Sequence, residues 1–492
     1  MTTLFSRNLR SLGAVPLAIA GIAALTVAPV VAPGLVATAK TVVAQANLLD
    51  TESWIMGGSG LPIPPPQYLT ALTDRFLDPA TPKFDGQPVF PVEVTNGLFT
   101  PEGLYPLTGV KTLPLDTSLQ QGVTILDQKI TEQIAAGNNA VVLGYSQSAT
   151  INAMEIKHLL SLPASEQPTA DQLSFVMLGS PSTPNGGLLS RFDLTSLPNV
   201  GTNMPELTLP SLGVTFSGAT PTDTPWDTAM YSQEYDGFAD FPKYPLNFLA
   251  DINAFLGIMY VHGTYPTLTD AQLASAIELP VSDDYTGNTQ FFMIPTEDLP
   301  LLTPLRGSGF GNAIADLLQP DLRVLINLGY GDIDHGWDQG PANLATPFGL
   351  FPDVNAQDVF TALVNGAQQG WTAFTDDLQN LSSSSAADVL GNSAAFVMPS
   401  LTDIVNTFTS ASATLYGTLL PTADILNALF TTLPAYTATI FAQELASGDL
   451  LNALGMPLAA SVGLTTMAAG FEFEVLTGAF SSIQADFSDL FS

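Results

Sequence analysis

Short apolar runs alternate with helical patterns between about residues 50 and 180, as they do in α/β proteins. Three of the runs, Ser53–Met56, Ala140–Leu143 and Leu173–Leu178, are predicted strands, and each is followed by a turn with glycine or serine. Helical patterns cover Ser118–Ala136 and a segment near Gln147–Leu160. The order of these elements predicts an α/β fold with a central, mostly parallel sheet.

Residues 186–226 break this pattern, because leucine, proline, threonine and glycine follow one another there with no sustained period. We predict an irregular insertion that forms a flap over the site. Beyond it, Met230–Tyr235 is a predicted strand. Leu246–Tyr260 is a predicted helix, since its apolar residues recur at helical spacing.

A second region begins near residue 345, where the composition changes. The last 169 residues (492 − 323) contain no Lys or Arg, and stretches such as Asp403–Thr418 and Asp424–Leu433 have helical periodicity. Residues 345–492 are therefore predicted to form an apolar, mostly helical region. Within it, Leu451–Phe471 is uncharged for 21 residues, but its asparagine, serine and threonine residues favour a buried helix over a membrane span.

Residues 1–46 are predicted to be a signal peptide. Arg7 and Arg10 give a positive start, the apolar run Leu12–Val36 follows, and Ala44-Gln45-Ala46 is a small-x-small cleavage pattern before Asn47. Three prolines interrupt the apolar run and argue against a permanent membrane-spanning helix, although an uncleaved anchor is the alternative. The segment predicts an exported protein.

The charge of the chain excludes several kinds of partner. Lys and Arg number 12 against 45 Asp and Glu, so the formal net charge is −33 and no basic face is available for nucleic acid. Electrostatic attraction to an anionic membrane is excluded for the same reason, whereas a neutral lipid or an apolar ester remains compatible. The chain has no cysteine, which excludes disulfides, thiolate metal sites and a cysteine nucleophile.

The segment Val141–Ala149 (VVLGYSQSA) carries the candidate nucleophile, Ser146. An apolar strand runs into a turn with small flanking residues, as needed where strand and helix backbones nearly touch, and the turn lifts the serine hydroxyl to the start of a helix. Ser148 stands where glycine is usual, which predicts local strain. The competing interpretation is a serine N-cap on an ordinary crossover.

Gly57-Gly58-Ser59-Gly60 follows the first predicted strand and is the candidate oxyanion loop. An acyl-transfer enzyme needs hydrogen-bond donors aimed at the oxyanion of its tetrahedral intermediate. The predicted donors are the backbone N–H of Gln147 and the N–H or hydroxyl of Ser59. A flexible turn or a phosphate loop is disfavoured, because no lysine follows and a run of prolines begins at Pro62.

The chain has three histidines from which a base can be chosen. His158 lies 12 residues after Ser146 on the same predicted helix, more than three turns away, so we interpret it as a surface residue. His335 lies in an acidic turn, where a solvated loop is favoured over a cation site. His262 follows a predicted helix and precedes a glycine, as a loop-borne base should, and is the candidate base.

The acid is expected after a strand that precedes the histidine, in the chain order Ser, Asp, His. Two carboxylates fit this position in the segment Tyr235–Asp240 (YDGFAD). We prefer Asp236, because it directly follows the predicted strand. Asp240, which can instead cap a local turn, is the rival.

A series of ordered motifs resembles the PE-PPE domain family, serine hydrolases typical of mycobacteria and related to cutinases. The motifs are Gly57–Pro66 (GGSGLPIPPP), Gly144–Ala149 (GYSQSA), Pro184–Leu188 (PNGGL), Gly218–Pro225 (GATPTDTP), Tyr235–Pro242 (YDGFADFP), Tyr260–Gly263 (YVHG) and Ile294–Pro304 (IPTEDLPLLTP). The resemblance covers roughly residues 50–330. It implies an α/β-hydrolase fold, a triad of Ser146, Asp236 and His262, and action on acyl esters at the cell envelope.

The chain departs from that family in two respects. A signal peptide is predicted where a helical PE or PPE module would precede the domain, and the region after about residue 345 carries no motif with an assignable function. The disulfides usual in cutinases cannot form here. The predicted organisation is a signal peptide at 1–46, a PE-PPE-like α/β-hydrolase domain at 47–340 and an apolar helical region at 345–492.

The predicted function is that of a secreted or envelope-bound serine esterase or lipase. It would act on an apolar acyl ester or lipid through an acyl-enzyme, with no metal or organic cofactor. Two alternatives stay open: an envelope acyltransferase that moves fatty acyl groups between glycolipids, and a catalytically silent envelope scaffold. The acyl donor, the acceptor and the oligomeric state are left open by the sequence.

Overall fold

A central sheet of seven strands organises the protein, in a computed structural model that describes residues 51–196, 206–381 and 400–489. The strands are β1 (Thr51–Ile55), β2 (Val94–Gly97), β3 (Asn139–Tyr145), β4 (Leu173–Leu178), β5 (Thr208–Leu209), β6 (Val214–Thr215), β7 (Asp227–Gln233), β8 (Ile277–Glu278) and β9 (Thr289–Ile294). Their order in the sheet is β2-β1-β3-β4-β7-β9-β8, while β5 and β6 form a separate hairpin. The edge strand β8 runs antiparallel to β9, and the other neighbours in the sheet are parallel.

Helices cover the sheet and make up the C-terminal region. They are α1 (Pro66–Leu72), α2 (Leu115–Ala136), α3 (Gln147–Ser161), α4 (Leu188–Arg191), α5 (Phe248–Tyr260), α6 (Asp270–Ala274), α7 (Gly309–Asn327), α8 (Ala356–Leu381), α9 (Leu401–Asn427), α10 (Leu433–Ser447) and α11 (Leu450–Asp489). The predicted α/β-hydrolase fold with a mostly parallel sheet and a helical C-terminal region is confirmed. The predicted signal peptide at 1–46 lies outside the described residues, as do residues 197–205 of the predicted insertion.

Neighbouring residues of the central strands enter different cores, one on each face of the sheet. Val142 and Phe175, which are paired between β3 and β4, pack into the core that α2 and α3 cover. Val141 and Val176 point to the other face and pack with Leu72 of α1. Because both faces are buried, the central strands appear in the sequence as continuous apolar runs rather than as alternating patterns.

The strand predicted before α5 and the insertion predicted at 186–226 differ from what the structure contains. Strand β7 covers Asp227–Gln233 rather than the predicted Met230–Tyr235. The sequence does not show these bounds, because buried polar side chains such as Thr228 and Ser232 interrupt the apolar pattern of the strand. The insertion at 186–226 is less irregular than predicted, since it contains α4 and the hairpin β5–β6. The carboxylate of Asp116 on α2 holds that hairpin, accepting from the Thr215 N–H at 2.8 Å and from its hydroxyl at 2.9 Å.

The C-terminal helices share a core with the α/β part of the chain. The π-helical turn Ala428–Thr432 joins α9 to α10, and Gly448, with a φ of 86°, ends α10 before α11 begins. The hydroxyl of Tyr436 on α10 donates to the carbonyl of Phe192 at 2.9 Å, inside an apolar cluster built from both parts. Helix α11 approaches α5 so closely that a Cβ on Gly470 would lie 2.4 Å from the Phe255 ring.

Helix α11 is buried on one side only, which differs from the buried helix predicted for Leu451–Phe471. Ala453 and Ala460 are fully buried, whereas Leu451 and Leu454 are exposed. The outer side of α11 also carries uncharged residues. The sequence therefore has no polar face that would distinguish this half-exposed helix from a buried one. By length and composition alone, Thr402–Ser447 and Leu450–Ser488 are each long and apolar enough to cross a membrane.

Candidate active site

Ser146 lies in a strained turn between the end of β3 and the start of α3. Its φ of 59° and ψ of −117° place a non-glycine residue in the region that L-amino acids avoid. Gly144 is required at this turn, because a Cβ there would lie 2.4 Å from the carbonyl oxygen of Ser148. The turn points Ser146 away from the strand and into a cavity. This is the geometry of a nucleophile elbow.

Ser148 is not strained, contrary to the prediction from its place in the motif. The strained backbone angle belongs to Ser146, two residues earlier. The Ser148 hydroxyl accepts the N–H of Tyr145 at 2.8 Å and donates to the Tyr145 carbonyl at 3.1 Å. A serine therefore binds the strand end here and stabilises the turn.

His262 lies between Ser146 and Asp236. Its Nε2 is 2.7 Å from the Ser146 Oγ, and its Nδ1 is 2.8 Å from both carboxylate oxygens of Asp236. Ser146 and His262 are each 7% exposed, and Asp236 is fully buried. The structure brings these three predicted residues together in the order that proton transfer from a serine hydroxyl requires.

Asp240, the rival acid, faces another part of the fold. Its carboxylate accepts the N–H of Tyr235 at 2.9 Å. Burial raises the pKa of the Asp240 carboxyl well above its usual range. The local capping role is the one that its contacts support.

Two tyrosines hold the histidine and the acid, and sequence reasoning missed both. The Tyr145 hydroxyl donates to the backbone carbonyl of His262 at 2.5 Å, and its ring stacks on the imidazole at 5.3 Å between centroids. The Tyr265 hydroxyl donates to Asp236 at 2.9 Å and accepts the Gln233 N–H at 2.9 Å. Tyr265 follows His262 by three residues in the same 3₁₀ turn, His262–Thr267, which is the signal that could have identified it.

The residues of the predicted oxyanion donors, Ser59 and Gln147, line the same cavity as Ser146. The backbone N–H groups of Ser59 and Gln147 have no acceptor among the described residues. The Ser59 hydroxyl donates to the Gln147 side-chain oxygen at 2.8 Å. Gly58 brings this loop against the elbow, since a Cβ on Gly58 would lie 3.3 Å from the Ser146 Cβ. Two free N–H groups beside a serine can receive a developing oxyanion.

A cavity of about 160 Å³ opens beside Ser146, and its lining is almost entirely apolar. The insertion contributes residues such as Leu188, Leu207 and Phe216. The C-terminal helices contribute Ile425, Ala428, Leu429, Leu433, Leu464, Met467, Ala468 and Phe471. Such a space suits a hydrocarbon chain whose ester group reaches the serine.

The two other histidines lie elsewhere. His158 is exposed on α3, with its Nε2 3.7 Å from Asp127. His335 pairs with Asp332 at 3.0 Å, but the loop that follows is not fully solvated, because Trp337 is buried and Asp338 pairs with Lys243 at 2.9 Å. Among the described residues, no group of three or more side chains could hold a metal ion.

Comparison with known proteins places this site in a family. A model of the PE-PPE domain matches residues 91–331. The PPE family protein PPE28 of Mycobacterium tuberculosis is 40% identical over 474 residues, which cover 91% of this chain and 68% of PPE28. The chain belongs to the PE-PPE domain family. The resemblance seen in the ordered motifs is confirmed.

Two other relatives of this PE-PPE chain, both from M. tuberculosis, have names that state an activity. Esterase PE16 is 46% identical over 318 residues, covering 65% of this chain and 54% of PE16. The diacyltrehalose acyltransferase Chp2 is 25% identical over 240 residues, covering 49% of this chain and 63% of Chp2. The chain thus spans little more than half to two thirds of the length of these relatives.

A solved structure also matches part of the PE-PPE chain. It is a cutinase-like protein from Cryptococcus sp. that is 15% identical, with a TM-score of 0.25. The match covers 45% of this chain and 88% of that protein.

Proposed function

We propose that this PE-PPE chain is an exported serine esterase that hydrolyses apolar acyl esters at or beyond the cell envelope. The observation that carries the proposal is the contact of His262 with both Ser146 and Asp236, at a strained elbow that faces an apolar cavity. The name of esterase PE16, a relative at 46% identity, supports the same class of reaction.

The proposed reaction has two steps. His262 takes the proton of Ser146 as the hydroxyl attacks the ester carbonyl, and Asp236 orients and stabilises the imidazolium that forms. The N–H groups of Ser59 and Gln147 stabilise the oxyanion. The imidazolium then gives its proton to the leaving alcohol, and water releases the acyl group from Ser146 by the same steps in reverse. No step calls on a metal or an organic cofactor.

A fluorophosphonate probe tests the proposal, because it reacts only with an activated serine. We expect covalent labelling of the purified protein, with the adduct mapped to Ser146 by mass spectrometry. A silent scaffold with the same fold would stay unlabelled. Labelling on a different serine would also overturn the assignment.

The lining of the cavity leads to a prediction about the length of the acyl chain in the substrate. Leu464 on α11 lines the cavity, so Leu464→Trp would fill space that a long acyl chain needs. We expect kcat/KM for a p-nitrophenyl palmitate to fall about tenfold or more, with kcat/KM for the acetate nearly unchanged. Leu458→Trp is the matched control, because Leu458 lies on the same helix but is exposed and does not line the cavity. Equal losses of kcat/KM for the palmitate in both variants would mean that the acyl chain binds outside this cavity.

An acyltransferase is the second candidate, supported by the name of the relative Chp2 and by the helices that wall the cavity. The same acyl-enzyme passes its acyl group to water or to an alcohol, according to which of them the closed site admits. We expect free fatty acid from a labelled ester in buffer, and a new ester when a glycolipid or polyol is added. Chromatography of the products decides it, and fatty acid as the sole product across a panel of envelope acceptors would leave a plain esterase.

A further inference from the structure

A chain of hydrogen bonds runs from the half-buried Ser59 of the oxyanion loop to the buried Ser118 in the first turn of α2. The Ser59 hydroxyl donates to the Gln147 Oε1 at 2.8 Å, and the Gln147 Nε2 donates to the Ser118 Oγ at 2.6 Å. The Ser118 Oγ also accepts the N–H of Gly103 at 2.9 Å. Ser118 is fully buried and Gln147 nearly so. The side chain of Gln147 is therefore held between two serines.

The backbone closes these contacts into a ring. The N–H of Gly60, next to Ser59, donates to the carbonyl of Glu102 at 2.7 Å. Glu102 precedes Gly103, whose N–H reaches Ser118, and its φ of 49° marks a tight local turn. Each link fixes the next, so the position of Ser59 depends on groups that are far from it in the sequence.

The protons of this ring are not placed well for catalysis. Ser118 accepts two hydrogen bonds, and its own proton has no acceptor among the residues that the structure describes. The proton of Ser59 is directed to Gln147 and so cannot reach the oxyanion. In this arrangement the backbone N–H groups alone are available to the oxyanion. A buried hydroxyl whose proton has no acceptor costs free energy, and this cost favours a different arrangement of the hydrogen bonds.

Turning the Gln147 carboxamide over keeps both contacts and reverses their direction. Its oxygen and nitrogen occupy nearly equivalent positions, and a hydroxyl donates or accepts equally well. Ser118 then donates to Gln147, and Gln147 donates to the Ser59 Oγ. The proton of Ser59 becomes free to point at the oxyanion. Since Gly103 already occupies one lone pair of Ser118, the Ser118 proton is left to serve Gln147.

We propose that Ser118 is a positioning residue that holds the Gln147 carboxamide turned over, so that the Ser59 hydroxyl donates to the oxyanion. The proposal rests on the esterase function proposed above, and it adds a third donor to the oxyanion site. No covalent bond changes in this step. Ser118 itself does not touch the substrate.

The test is a double-mutant cycle on a short p-nitrophenyl ester, with Ser59→Ala, Ser118→Ala and the double variant. Removing one oxyanion donor costs on the order of 10²-fold in kcat, so each single variant is expected to lose about that much with KM little changed. The double variant is expected to lose no more than Ser59→Ala alone, because both changes remove the same hydrogen bond. Thr117→Ala, at an exposed neighbour on the same helix, is the control and should keep full kcat.

Two further variants separate this role from a merely structural one. Ser118→Thr keeps the hydroxyl and should restore most of the kcat lost in Ser118→Ala. Gln147→Glu has nearly the same shape but no N–H to donate, so it should lose kcat as Ser59→Ala does, even if Ser118→Ala does not fold. Losses that multiply in the double variant, or full kcat in Gln147→Glu, would overturn the proposal. A wild-type protein with no ester hydrolysis and no fluorophosphonate labelling would overturn the esterase function as well.

Discussion

Ser146→Ala is expected to lower the hydrolysis of a short p-nitrophenyl ester by about 10⁴-fold or more. The alanine removes the Oγ that lies 2.7 Å from the His262 Nε2, so no acyl-enzyme can form. Residual activity would come from water attacking an ester that the cavity and the oxyanion donors still bind. Steady-state rates on purified protein, with circular dichroism to show an unchanged fold, make the measurement.

Ser161→Ala is the matched control for this variant. Ser161 ends the same helix α3, and its exposed hydroxyl donates to the carbonyl of His158 and to no other described residue. Its replacement should leave the rate within about twofold, as expected for a surface site. If Ser146→Ala kept activity within tenfold of the wild type, the assignment of the nucleophile would be wrong. Loss of helix signal in Ser146→Ala would point instead to a role of the hydroxyl in the fold.

The sheet could be predicted wherever a strand is apolar on both faces. Leu173–Leu178 was predicted with its correct bounds, because Leu, Phe, Val and Met fill both cores there. Strand β2 was missed, since its four residues carry no apolar pattern and depend on pairing with β1. The predicted bounds of β7 were too late in the sequence, because the buried residues Thr228 and Ser232 are polar and do not mark a strand. A local apolar pattern therefore identifies strands whose own side chains form the core. It misses strands that depend on pairing with a neighbour or that bury polar side chains.

The site could be predicted where few residues compete for a role. With three histidines in the chain, the distance of His158 from the elbow and the acidic turn around His335 were enough to select His262. The acid was harder, because Asp236 and Asp240 lie four residues apart in one segment and local sequence separates them weakly. The wall that α11 adds to the cavity, like the ring through Ser118, depends on contacts between distant segments, which no local motif records.

Asp236→Asn is expected to reduce kcat by about 10⁴-fold, whereas Asp240→Asn is expected to retain most of the activity. Both oxygens of Asp236 accept hydrogen bonds, from the His262 Nδ1, the Tyr265 hydroxyl and the Phe238 N–H. An asparagine replaces one acceptor by an NH₂ group that faces donors. The imidazole then loses the partner that keeps its Nε2 free to accept the proton of Ser146.

Asp240 makes the matched control, because it is an equally buried carboxyl that does not contact His262. Burial raises the pKa of the Asp240 carboxyl well above its usual range, which favours the neutral form that an asparagine resembles in shape and charge. The Tyr235 N–H can still donate to the amide oxygen of that asparagine. Both variants are compared at one pH by kcat, with thermal unfolding to exclude a loss of fold. Equal losses, or a greater loss in Asp240→Asn, would reverse the assignment and make Asp240 the acid that serves His262.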